Sequence, residues 1–452
     1  MKHRNFYAIW AICACVLILS SCAKPIPWLE QAIIDAAKRH PGYSAKWEGL
    51  IREQARNFLA EIKTDRPDPE QNALARKAVA EGCQDPLVRY VTWQRQTLGA
   101  DKYDPVIARA GLAIVNELHE TQAPAFLRVF VEDQVYRIWR AVYPREDDPD
   151  MLKLNERHWQ DVFGALQDVH TPEWLGNRLT MSLAAIWAGE WGVRKDMSDR
   201  MEAVLTVRYG DCATSHQLRA ENTLIRLRHI LYQKNLTQKL EKWKLTHDDL
   251  DLAWKELEAA WRLNPADIHI ATSLVELCRY RQAPKAEMEH WFQQGLKTGM
   301  DGSRLCLQKS TFLSPDWGGL IEEQLAFGRE CTAHPEYGHE AGTIVTRAHA
   351  GNAIELGIHK EYFIRPEVWK DMSQGYEAYF RQNPDMINMR LRYAQRAWQT
   401  EHWEILGHQL KQLNPSVLDL ERIGGADVLE QMIADARAHG QLPATPDPLK
   451  GF

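Results

Sequence analysis

Residues 246–265 read THDDLDLAWKELEAAWRLNP, and this stretch decides the fold class. Thr246 followed three residues later by Asp249 has the form of a capping box, a hydroxyl at the cap and an acid one turn inside. Leu250, Trp254, Leu257 and Trp261 then recur every three or four residues, so one stripe of a helix is apolar. Asn264-Pro265 stops it, because proline cannot continue a helix and disfavours helical geometry in the residue before it. The stretch predicts a helix ending at Leu263. Ala266-Asp267 opens a second helix with Ala271, Leu274, Val275 and Cys278 on its apolar face. Pro284 opens a third, with Met288, Trp291, Phe292 and Leu296 inward.

The rest of the chain follows the same plan. Runs rich in Ala, Leu, Glu, Gln, Lys and Arg carry apolar positions three and four apart, and alternating β-branched runs are absent. The stop at 263–267 is echoed 34 residues later at Lys297-Thr-Gly-Met-Asp301. Helix pairs repeating at this interval have the tetratricopeptide spacing. With Pro265 as the repeat-ending proline, Ala253, Leu257 and Ala260 fall on the small, large and small positions of that motif. Glu241, Lys244 and Glu287 depart from it, so the repeats are degenerate. A second pair ends at Pro384 and Pro415, with Leu391, Ala394, Trp398, Trp403 and Leu406 as packing faces.

Four segments carry a family resemblance: Trp261-Arg-Leu-Asn-Pro265, the helix with Trp291-Phe292, Ser314-Pro-Asp-Trp-Gly-Gly319 and Phe327-Gly-Arg-Glu-Cys331. From roughly Trp243 to Gly425 the chain resembles an uncharacterised family of bacterial tetratricopeptide-like proteins. The resemblance implies an all-α fold, a helix-pair repeat array forming an irregular α-solenoid, and brings no catalytic residues with it. The expected organisation is a leader over 1–21 and an N-terminal helical region without a period over 22–200. Central degenerate repeats over 201–333 and a C-terminal repeat region with a loose tail over 334–452 complete it.

The leader fixes an address. Lys2, His3 and Arg4 precede an apolar run from Phe6 to Leu19, which ends in Leu19-Ser-Ser-Cys22. As a helix the run spans about 21 Å at roughly 1.5 Å per residue, short of the ~30 Å hydrocarbon core. It fits the apolar part of a signal peptide instead. The segment resembles the lipobox of bacterial lipoproteins, which implies that Cys22 carries a diacylglycerol and becomes the first residue after cleavage. Ala23 rather than Asp next to it implies the outer membrane over the inner one.

Composition excludes some function classes. A formal net charge of −6, spread along the chain, argues against nucleic acid. No later apolar segment is long enough to span a membrane. Beyond Cys22 the cysteines are Cys83, Cys212, Cys278, Cys306 and Cys331, without a C-x-x-C pair. They are expected to be small buried apolar residues, with a Cys278–Cys306 or Cys306–Cys331 bridge left open. The 17 tryptophans lie in helical patterns and are expected to fill gaps between helices.

Motifs for chemistry are sparse. His339-Glu340 begins like a zinc-protease motif, but Thr343 stands where the second histidine belongs. His349 and His359 alone make no metal site. No phosphate loop, G-x-S-x-G elbow or G-x-G-x-x-G is present. No catalytic, cofactor-binding or metal residue is assigned, and Cys22 is the one site residue. The expectation is a lipid-anchored cell-envelope scaffold without catalysis or cofactor. It binds a protein or peptide partner, with groove walls around Ala271–Tyr280 and Arg390–Ala397. The alternative is an all-helical cell-wall or polysaccharide hydrolase.

Overall fold

Aspartate and proline start several of the helices. In the computed structural model, Asp68 accepts hydrogen bonds from the Glu70 and Gln71 amides with Pro69 beginning the helix. Asp148 accepts from Met151 N ahead of Pro149, and Asp267 accepts from His269 N. Each satisfies amide donors that the first helical turn leaves unpaired, and each places a negative charge at the positive end of the helix dipole.

The structure describes the chain apart from residues 1–26, 66–67, 98–102, 104, 144–147, 188–194, 233–246, 358–359, 385, 414–419 and 444–452. Cys22, Thr246 and His359 therefore lie outside the described residues. The described part is helical throughout, without a strand. Its first ten helices are α1 (Pro27–Arg39), α2 (Glu48–Thr64), α3 (Pro69–Ala80), α4 (Pro86–Thr97), α5 (Pro105–Glu120), α6 (Ala125–Val142), α7 (Pro149–Gln167), α8 (Glu173–Trp187), α9 (Lys195–Tyr209) and α10 (Ala213–Tyr232). The next six are α11 (His247–Leu263), α12 (Ile268–Tyr280), α13 (Lys285–Leu296), α14 (Ser303–Phe312), α15 (Ile321–Ala333) and α16 (Thr343–Leu356). The last are α17 (Lys360–Phe363), α18 (Pro366–Gln382), α19 (Ile387–Gln399), α20 (Trp403–Leu410) and α21 (Ala426–Ala438). None of them is long and apolar enough to cross a membrane.

Two sets of contacts organise these helices. Sequence neighbours pack as pairs, most extensively α6 with α7, α10 with α11, α12 with α13, α15 with α16 and α19 with α20. Alternate helices also meet, so that α6, α8, α10, α12, α14, α16 and α18 form a continuous row. α2 joins that row at α8 and also packs on α4.

The predicted helix ends and faces around residues 247–296 are present. α11 stops at Leu263 and α12 follows Asp267. Ala271, Leu274, Val275 and Cys278 are fully buried, as are Met288 and Phe292. Trp291 packs edge-on to Trp254 and to Trp261, with ring centroids 6.1 and 5.9 Å away. These are the inter-helix knobs expected of the tryptophans. Burying such a side chain contributes about 1.5–3 kcal/mol, so the cluster is a large part of the local core. Apolar cores run from Leu29 to Ile225, from Ala213 to Ile344, and in two patches over 353–442. The five cysteines are buried and free, so neither of the two bridges left open by the sequence is formed.

Candidate functional site

A groove of about 440 Å³ opens on the row of alternate helices. Its lining comes from α2, α4, α6, α8, α12 and α14, together with His339 and Glu340 just before α16. Every helix that contributes is even-numbered.

Long-range polar contacts hold the groove together. The Thr64 carbonyl at the end of α2 accepts the Asp301 amide N–H at 3.0 Å. Arg178 of α8 donates from Nε to the Ile62 carbonyl at 2.7 Å, and its guanidinium also contacts Asp65 and His269. His269 Nε2 lies 3.0 Å from Asp65 Oδ2. Burial pushes the Asp65 carboxyl up, yet His269 and Arg178 outweigh it and hold the group well below the ordinary range. This three-residue node ties α2, α8 and α12 at one end of the groove.

A second node adjoins it through the Thr64–Asp301 bond. Asp301 Oδ2 accepts the His339 amide N–H at 2.7 Å and lies 2.8 Å from His339 Nδ1. Asp301 Oδ1 accepts the Ser303 amide, and Ser303 Oγ accepts the Glu340 amide at 2.9 Å. Burial raises the Asp301 carboxyl, but His339 outweighs it and the net shift is downward. On α6, Asp133 pairs with Arg137 at 2.9 Å. The acids of these two nodes and Asp133 are thus internally matched. Arg304 is exposed, and Gln134 is half-buried. Both face the same space and are open to an occupant.

The histidines singled out by sequence take structural places. His339 belongs to the groove node just described. His349 is buried on α16, with Tyr362 Oη 2.8 Å from Nδ1 and Asp371 Oδ2 3.1 Å from Nε2. Arg329 donates to the same Asp371 oxygen at 2.8 Å. Burial holds the His349 imidazole below its ordinary value, against the pull of Asp371. A second cavity, of about 460 Å³, lies over Arg329 and Asp371.

The predicted groove walls are placed differently from the observed groove. Of the span Ala271–Tyr280 only Thr272 lines it, beside Ile268 and His269 from the first turn of the same helix. Arg390, Leu391, Tyr393, Ala394 and Ala397 are buried and line neither cavity. α12 reaches the groove through its first turn, whereas the stripe of Ala271, Leu274, Val275 and Cys278 packs into the core.

Sequence reasoning missed Asp65 and Arg178, which belong to no local motif, and read Asp301 only as part of the helix stop at 297–301. It also assigned no metal ligand, whereas His119, Glu132 and Asp161 each bring one donor atom within 4.8 Å of the others. No family model, no curated protein and no solved structure matches the chain.

Proposed function

We propose that this chain is a lipid-anchored envelope scaffold that holds an extended polar segment of a partner protein in the groove along its even-numbered helices. The observation that carries the reading is the origin of the groove lining: α2, α4, α6, α8, α12 and α14 all contribute, and no odd-numbered helix does. In a stack of helix pairs, one helix of each pair faces the concave side and its partner the outside. The continuous packing of alternate helices from α6 to α18 supports the same irregular, tetratricopeptide-like solenoid.

The chemistry of the groove favours a polar peptide over a highly charged ligand. Asp65, Asp133 and Asp301 already have cationic or histidine partners. Gln134 and Arg304 offer amide and guanidinium donors of the kind that bind backbone carbonyls and carboxylates. Attachment through Cys22 would confine this surface to a membrane face, where a modest affinity is raised by effective concentration.

The test is crosslinking in intact cells with the wild type and an Arg304→Glu, Gln134→Arg double variant. One reproducible crosslinked protein that is lost in the variant supports the reading. No reproducible product, or one that survives the variant unchanged, contradicts it.

A further inference from the structure

Away from the groove, four ionisable side chains converge between three consecutive helices. His119 lies in the last turn of α5, Glu132 in the middle of α6, and His158 and Asp161 one turn apart on α7. The spacing of three on α7 puts His158 and Asp161 on the same helix face. His119 Nε2 is 2.7 Å from Glu132 Oε1 and 3.5 Å from Asp161 Oδ2. His158 Nδ1 is 3.5 Å from Glu132 Oε2.

The arrangement is costly as it stands. Glu132 is fully buried, and its Oε2 has no hydrogen bond. His158 is 3 % exposed, and neither of its ring nitrogens is hydrogen-bonded. A buried imidazole aimed at an unsatisfied carboxylate oxygen leaves donor and acceptor capacity that protein interiors normally fill. The fixed cation of the cluster, Arg128, is spent on Asp161, donating from Nε to Oδ2 at 2.6 Å. The nearest ionisable partners of Glu132 are the two histidines, one at each of its oxygens.

We propose that His119, Glu132 and Asp161 bind one divalent transition-metal ion, with zinc as the best fit, and that His158 steadies the Glu132 carboxylate through its second oxygen. One imidazole nitrogen and two carboxylate oxygens are donors that zinc accepts, with water completing a four-coordinate site. Bond lengths of about 2.0–2.2 Å place such donors roughly 3.3 Å apart, and His119 Nε2 lies 2.7 Å from Glu132 Oε1 and 3.5 Å from Asp161 Oδ2. Arg128 then serves as an outer-shell partner that fixes the Asp161 carboxylate, the usual arrangement around a ligating acid. The site joins α5, α6 and α7, so its role is to brace that part of the bundle. It is independent of what occupies the groove.

Zinc titration of the full mature chain against a chromogenic chelator tests this, beside His119→Asn, Glu132→Gln and the exposed control His334→Asn. One zinc per chain is expected for wild type and control. An affinity lower by roughly 100-fold or more is expected for each ligand variant. Zinc should raise the Tm of the wild type and not that of His119→Asn, and cobalt should give the visible bands of a four-coordinate ion. His119 is the most exposed of the three, with 26 % of its side chain accessible, so its variant decides the matter if Glu132→Gln does not fold. A wild type that binds no zinc, or His119→Asn protein that binds it equally well, overturns the proposal.

Discussion

Arg178 on α8 bonds the Asp65 carboxylate at the end of α2, across 113 residues of chain. With His269 it forms the node that fastens three helices at one end of the groove. Asp65 is 37 % exposed in its side chain, which screens the pair. Arg178→Met is therefore expected to cost about 1–2 kcal/mol rather than the ~3–5 of a fully buried pair. Urea unfolding of Arg178→Met, Asp65→Asn and the double variant measures this. Strictly additive effects would show that the two residues do not act together.

Two glycines should respond in opposite directions. A Cβ on Gly328 would stand 2.7 Å from the Val345 backbone, where α15 and α16 approach closely. Gly328→Ala is expected to destabilise by about 1–3 kcal/mol through overpacking. Gly351 lies inside α16 with nothing within 4 Å of an added Cβ. Gly351→Ala should stabilise by about 0.5–1 kcal/mol through helix propensity. Thermal melts of both variants check the signs.

Asp85 supplies a pH test. Its carboxylate accepts the Leu87 and Val88 amides at 3.0 and 3.1 Å ahead of α4. Burial nonetheless pushes its carboxyl up from 3.8 to about 6. The folded state thus holds the proton more tightly than the unfolded chain. The stability this provides is complete below the unfolded value and is lost as pH rises through 6. Asp85→Asn keeps a capping oxygen and removes the titration. Its stability relative to wild type should grow by about 1–3 kcal/mol between pH 4 and pH 7. Chemical denaturation at several pH values measures the difference, and a flat difference would refute the assignment.

Cys22 gives a prediction that rests on sequence. Labelled palmitate fed to cells should enter the wild-type chain and not Cys22→Ala protein, which should leave the membrane fraction. Continued incorporation into Cys22→Ala would defeat the anchor.

The helices were legible because their signals are local. Asn264-Pro265 ends α11, Asp267 caps α12 and Pro284 precedes α13, all within a few residues of the pattern that announces them. The buried faces followed from spacing alone. The groove did not, because it depends on which helices meet after long loops of chain: Arg178 finds Asp65 and His269 through tertiary packing. The His119, Glu132, His158 and Asp161 cluster left fainter marks. Glu132 interrupts the apolar run Phe126-Leu-Arg-Val-Phe-Val131, and His158-x-x-Asp161 has the spacing of one helical turn. Neither mark says that α5, α6 and α7 bring those residues together.

The groove reading is tested most directly by a photoreactive amino acid placed singly at Gln134, at Arg304, and at Leu252 on α11. Leu252 is 56 % exposed and lies outside the groove. Irradiation of intact cells should give the same crosslinked partner from Gln134 and from Arg304, and not from Leu252. Absence of a common product from the two groove positions, or the same product from Leu252, would contradict the account.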